Sequence, residues 1–267
     1  MERIGSRVVL ALVLLSSLTT PVKAAVETQE VEYRDGQTLL RGFLAADTSS
    51  DDPRPGILVV HEYKGLGEYA KRRAVQLAEM GYVAFAVDMY GQDVRPTTHE
   101  EAAATAGVYK SDRSLMRQRI LAGYEVLGAH PLTDPSRIGA VGYCFGGTTV
   151  LELARSGAPV AGVVSFHGAL SSPRPSDARA IKGRVLVLHG ASDPHIGPDE
   201  VEAFRREMEE AGVKWRLISY EGAVHSFTVP EAGDDPSTGV AYNAEADRRS
   251  WEEMTNFFRE IFAPAPV

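Results

Sequence analysis

From Gly56 to His61 the chain reads Gly-Ile-Leu-Val-Val-His, almost without a polar side chain, and similar runs return at Tyr82–Met89, Arg137–Tyr143, Val160–Phe166, Arg184–His189 and Lys214–Tyr220. Short continuous apolar runs of this kind predict strands covered on both faces, as in a parallel sheet. Between them the pattern predicts helices over Glu68–Met80, Thr98–Tyr109, Asp112–Ala129 and Gly146–Ser156, then from about Pro198 to Ala211 and from about Tyr242 to Ile261. Gly81 stands where the first helix needs a left-handed residue to stop it. Ahead of the series, Glu27–Tyr33 and Leu39–Ala45 flank the turn Arg34-Asp35-Gly36 and predict an antiparallel hairpin. Asp47–Pro55 is polar, holds two prolines and reads as a loop. Strands alternating with helices imply an α/β domain, a mostly parallel sheet with helices on both faces. The 267 residues suit one large core, and no repeat, low-complexity tract or interdomain linker breaks them.

The first 24 residues stand apart. Arg3 and Arg7 precede the apolar run Val8–Leu18, and Val22-Lys23-Ala24 forms a small-residue cleavage site before Ala25. That is the pattern of a secretory signal, with the α/β domain occupying 25–267 and the mature protein periplasmic or extracellular. The run is about half the roughly 20 residues that a membrane span requires. The whole chain carries 28 basic and 36 acidic side chains. Without the leader these become 25 and 35, a net charge of −10. An acidic balance of that size disfavours nucleic acid or an anionic membrane surface as partner and does not select a substrate. Oligomeric state is not legible.

The composition includes one cysteine, Cys144, which has no internal partner for a disulfide. It is a buried hydrophobe, an intermolecular bridge or a reactive thiol, and its context bears on the choice. The strand Arg137–Tyr143 runs directly into Gly142-Tyr143-Cys144-Phe145-Gly146-Gly147 and then a helix. Glycine two residues either side of a nucleophile is the pattern of a sharp strand-to-helix turn, where a Cβ would crowd the neighbouring backbone. The helix N-terminus beside it favours thiolate over thiol.

Two more strand ends carry matching chemistry. Asp193 lies in Gly190-Ala191-Ser192-Asp193-Pro194, just past the strand Arg184–His189, and His225 lies just past Lys214–Tyr220. Alone, Asp193 is a turn residue and His225 a solvated one. Together, and in the chain order nucleophile, acid, histidine found in α/β-hydrolases, they form a triad: His225 moves the thiol proton and Asp193 fixes its tautomer.

Four segments in order, His61-Glu62-Tyr63-Lys64-Gly65-Leu66, Gly142–Gly147, Ser192-Asp193-Pro194 and His225-Ser226-Phe227, resemble the dienelactone hydrolase family over about residues 27–262. The resemblance implies an α/β-hydrolase fold and a Cys-His-Asp triad acting on a lactone or small ester without a cofactor. It implies that Glu62 contacts the resting thiol and helps generate thiolate, and that the backbone N–H groups of Phe145 and Tyr63 form the oxyanion hole. Tyr90 and Phe227 are expected as substrate contacts. His61-Glu62-x-x-Gly65 also echoes a zinc motif but lacks the second histidine, and His61 reads as structural. The chain departs from the family where arginines hold a substrate carboxylate. Asp88-Met89-Tyr90 is followed by Gly91 and Gln92, and Phe227 by Thr228 and Val229, with only Arg95 nearby. A broad carboxylesterase or thioesterase using the same triad, and a non-catalytic binding protein that has kept the fold, are the alternatives.

Overall fold

The computed structural model describes residues 26–263, so the expected leader lies outside the described residues. Eight strands form one sheet in the order β1-β2-β4-β3-β5-β6-β7-β8. They are β1 Val26–Asp35, β2 Thr38–Asp47, β3 Arg54–Val60, β4 Val83–Val87, β5 Thr133–Tyr143, β6 Gly162–Phe166, β7 Arg184–Gly190 and β8 Trp215–Tyr220. The hairpin β1–β2 is antiparallel and turns at Gly36, whose φ of +55° suits a residue without a Cβ. β2 joins β4 antiparallel; every other pairing is parallel.

Among the described residues six α-helices cover the sheet: α1 Glu68–Glu79, α2 His99–Ser111, α3 Arg113–Ala129, α4 Phe145–Arg155, α5 Pro198–Glu210 and α6 Ala244–Phe262. Their starts follow local chemistry. Thr98 and Glu101 form a capping box on α2, while Asp112 and Asn243 accept first-turn amides of α3 and α6. Gly81, φ +90°, follows the end of α1 as its sequence predicts.

Alternation along β3 shows how the two sides divide. Ile57 and Val59 face a core layer built with Leu77 of α1 and Phe258 of α6. Leu58 and Val60 face the other, with Ile120 of α3, Leu153 of α4 and Phe204 of α5. Burial on both faces is why these strands carry no polar alternation.

Most element boundaries lie within two residues of the sequence reading, and the larger difference is at the start of β5. β5 begins at Thr133, not Arg137, and β3 at Arg54, because Arg54 and Pro55 pair with Thr133 and Asp134 before the register slips at Gly56. Proline is tolerated near the start of a strand and beside a bulge, so Pro55 lies inside the sheet while Pro53 stays in the loop. Chain order reverses at β3: one crossover leads to β4 and the next returns past it to β5. A crevice at the carboxyl ends of β3 and β5 is the expected result.

Candidate active site

β5 delivers Cys144 into that crevice on a strained turn. Cys144 has φ 54° and ψ −112° and is followed at once by α4. The flanking glycines are obligatory for packing. A Cβ on Gly142 would lie 2.0 Å from the Gly146 carbonyl oxygen, and one on Gly146 would lie 2.2 Å from that of Val60. Among the described residues, three non-glycine positions have positive φ, Cys144, His167 and Ser226, and all three are in this site. Strain of this sort costs on the order of 1–3 kcal/mol per residue and persists where surroundings enforce it.

The loops after β7 and β8 bring up the two partners. His225 Nε2 lies 3.0 Å from Cys144 Sγ and its Nδ1 lies 2.8 Å from Asp193 Oδ2. Asp193 is buried, and its other oxygen accepts the His195 amide at 2.8 Å. The His225 backbone is clamped in turn: its amide donates to the Gly239 carbonyl at 3.2 Å, and its carbonyl accepts from Ala241 at 3.1 Å. Burial disfavours the charged imidazole, but the hydrogen bonds to Asp193 and Cys144 and the negative charge of both outweigh it, raising its pKa to about 10. Such a group can take the thiol proton and keep it beside the sulfur.

The turn itself is held by a second imidazole. The Cys144 amide donates to His167 Nδ1 at 3.1 Å as well as to the Phe166 carbonyl at 3.0 Å. An amide only donates, so Nδ1 accepts and the ring proton sits on Nε2, which donates to Thr228 Oγ1 at 2.9 Å. Burial, then the neighbouring His225, hold the His167 pKa well below its ordinary value and keep the ring neutral. Thr228 also accepts from Tyr69 at 2.7 Å, and Arg73 ties the Thr228 carbonyl (3.2 Å) to Asp247 of α6 (2.6 Å). The sequence reading missed His167. Its one local mark is a histidine before Gly168 at the end of β6, which is not specific.

Glu62 is half-buried in the loop after β3, and its Oε1 accepts from the Ser226 hydroxyl at 3.0 Å. Burial raises its carboxyl pKa; the Ser226 hydrogen bond and then His225 act to lower it. It thus stands next to the histidine loop and lines a different cavity from Cys144. His61 is buried, with Nδ1 on the Glu62 carbonyl at 2.5 Å and Nε2 accepting the Met89 amide at 3.3 Å. With both nitrogens engaged by backbone, it has no lone pair for zinc and its role is structural.

Phe145 opens α4, so its amide is among the first-turn donors without an intrahelical partner. Tyr63 lies in the loop after β3, and its carbonyl is pinned by the Tyr90 hydroxyl at 3.0 Å. Tyr90 and Phe227 are corrections to the sequence reading. Tyr90 is packed among His61, Tyr109 and Phe145, and Phe227 is fully buried against His167 and Tyr220. Both are aromatic core beneath the site, neither lining the cavity at the thiol. That cavity, about 520 Å³, is walled by Cys144, Phe145 and His225 and by apolar Ala103, Ala106 and Ile196.

The family model described as the dienelactone hydrolase family matches residues 40–262. A solved structure titled as a dienelactone hydrolase-like promiscuous phosphotriesterase, from metagenomic libraries, superposes with a TM-score of 0.85 at 40% identity, covering 90% of this chain and all of that one. An uncharacterized protein of Caenorhabditis elegans is 35% identical over 156 residues, 57% of this chain and 99% of its own. A dienelactone hydrolase from Anabaena variabilis, at 18% identity and a TM-score of 0.66, covers 90% of this chain and 99% of its own and shares the fold.

Proposed function

This chain belongs to the dienelactone hydrolase family, and from that premise we propose that it cleaves a lactone or small carboxylic ester through Cys144, His225 and Asp193 with an acyl-thioester intermediate. The single observation that carries the reading is the placement of His225 within hydrogen-bond reach of both Cys144 Sγ and Asp193 Oδ2. The thiol proton passes to His225 Nε2, and the thiolate attacks the substrate carbonyl carbon. The developing oxyanion is met by the amides of Phe145 and Tyr63. As the carbon–oxygen bond breaks, His225 returns the proton to the leaving alkoxide, and Cys144 is left acylated. A water that gives its proton to His225 then attacks the thioester and releases the acid. Asp193 holds the imidazole tautomer and stabilises its charged form throughout. Glu62 relays the thiol proton: released from Ser226 when substrate enters, it accepts the proton from the sulfur and passes it on to His225.

Mixing the protein with excess activated ester should give a burst of product equal to the enzyme concentration, with intact mass rising by one acyl group. Cys144→Ala should show neither, since a methyl group cannot attack a carbonyl. Hydrolysis by Cys144→Ala at the wild-type rate would overturn the mechanism. A panel of lactones, aliphatic esters and thioesters sorts the substrate class. The 40%-identical neighbour justifies a phosphate triester in the same panel. Export is part of the proposal and rests on the leader sequence; protein expressed with it in a bacterium should begin at Ala25.

A further inference from the structure

A second cavity of about 540 Å³ abuts the one at the thiol. Four residues, Tyr63, His99, Ser226 and Val240, line both. Two of these form a bar between the chambers: the Tyr63 hydroxyl is hydrogen-bonded to His99 Nδ1, with the rings stacked at 6.1 Å. The bar joins the loop after β3 to the first residue of α2. The chambers differ in chemistry. The thiol's own is faced by Ala103, Ala106, Phe145 and Ile196 with Lys110, Thr148 and His195, whereas the second is faced by three carboxylates, Glu62, Glu68 and Glu231, two cations, Lys64 and Arg72, and Tyr69.

An ester bound at Cys144 has two substituents that must leave the carbonyl carbon in different directions. The alkoxy oxygen must lie at His225 Nε2, which delivers its proton. His225 itself lines the thiol's chamber, and the residue after it, Ser226, with the residue bridged to its backbone, Val240, lines both, so the second chamber begins beside the base. The acyl substituent keeps the apolar chamber. We propose that the second chamber is the leaving-group subsite and accepts a neutral polyhydroxylated alcohol, with the Tyr63–His99 bar limiting its bulk. This inference rests on the acyl-transfer reading above. Carboxylates and cations of nearly balanced number suit many hydroxyl groups better than a single ion. Arg72 is already paired with Glu231 at 2.6 Å, and Glu62 with Ser226 at 3.0 Å, so neither stands ready as a lone counter-ion. In the step itself, His225 protonates the departing oxygen as the carbon–oxygen bond breaks, freeing the polyol and leaving the acyl group on Cys144.

Gly67 offers a clean test. It lines only the second chamber, its φ of −120° suits any side chain, and a Cβ there would meet nothing closer than the Gly65 carbonyl oxygen at 3.9 Å. The experiment compares kcat/KM for sorbitol monobutyrate, hexyl butyrate and methyl butyrate, which share one acyl group. Wild type should favour the sorbitol ester over the hexyl ester by about tenfold or more. Gly67→Phe should lower the sorbitol ester by about tenfold and leave methyl butyrate within about twofold. His99→Ala, which removes the bar, should raise the sorbitol ester several-fold. Ala232→Phe, from another part of the same wall, replaces Gly67→Phe if that variant fails to fold. A preference for the hexyl ester, or a Gly67→Phe effect that is absent or equal on all three esters, overturns the subsite while leaving the hydrolase reading intact. Failure of wild type to cleave even methyl butyrate or an activated ester overturns both.

Discussion

The Cys144 amide and the His167 ring are hydrogen-bonded at 3.1 Å, so the backbone of the proposed nucleophile is gripped by an imidazole other than the one beside its sulfur. Through its far nitrogen the same ring holds Thr228, three residues beyond His225. One neutral side chain thereby links the turn that carries the sulfur to the loop that carries His225. The distance between Sγ and Nε2 depends on this brace as much as on either residue's own strand.

The two halves of the brace can be separated by substitution. His167→Asn places an amide oxygen near the position of Nδ1 and gives up Thr228; His167→Gln keeps a donor near Nε2 and gives up the Cys144 amide. We expect kcat within about tenfold of wild type for Asn and a larger loss for Gln, with KM little changed in both. The rate of thiol alkylation against pH should shift in Gln and stay close to wild type in Asn. Wild-type kcat and alkylation profiles in both variants would show that His167 only fills space.

Glu62→Gln separates catalysis from stability. Burial disfavours the ionised carboxylate, so the group is stabilised by protonation at low pH and opposes folding at neutral pH. The amide removes that cost. Turnover should fall by about tenfold or more, while the melting temperature at pH 7 stays level or rises. Equal turnover in wild type and Glu62→Gln across the pH range would refute a role for Glu62 with the thiol.

His225 carries a pH-dependent stability of the same direction, falling as the pH rises, but here it is the charged form that favours the fold. A histidine whose pKa is raised to about 10 from 6.5 stabilises the fold fully below pH 6.5, and this contribution is lost as the pH rises through about 10. Wild type should therefore lose roughly 1–3 kcal/mol relative to His225→Gln between these limits in urea titrations, an effect scaled down from the full shift. Parallel stability curves for the two proteins would mean that the proton is not held by this site.

Behind the nucleophile, α4 is fastened by a buried ionic cluster. The Arg155 guanidinium has no solvent exposure and pairs with Glu207 of α5 at 2.7 Å and Glu152 at 3.1 Å, while Arg117 of α3 reaches Glu152 at 2.7 Å. Arg155→Met leaves Glu207 buried and unpaired and should cost about 3–5 kcal/mol in urea unfolding. Arg155→Met combined with Glu207→Leu should recover much of that. A single-variant loss under about 1 kcal/mol would mean that water or rearrangement replaces the pair.

Most of the architecture was legible because its signals are local. A strand covered on both faces needs a continuous apolar run, so β3, β4 and β6 could be read directly, whereas Pro55 and Pro135 hid the pairing of Arg54 and Pro55 with β5. Cys144, Asp193 and His225 each sit at a strand end within a short signature. What was not legible depends on loops meeting in space. His167 and Thr228 are 61 residues apart, and Glu62 and Ser226 are 164 apart. Tyr90 and Phe227 were misread because an aromatic beside a motif looks the same in sequence whether it faces substrate or core.

The separation of Cys144 from His225 by 81 residues also orders events during biosynthesis. Cys144 leaves the ribosome well before His225 is made, and Asp247, which anchors the Arg73 end of the histidine loop's support, follows later still. A nascent chain can complete the apolar strands β3 to β6 around a cysteine that has no imidazole to activate it. On the proposed mechanism, a chain that stops short of His225 carries a sulfur with no imidazole to activate it.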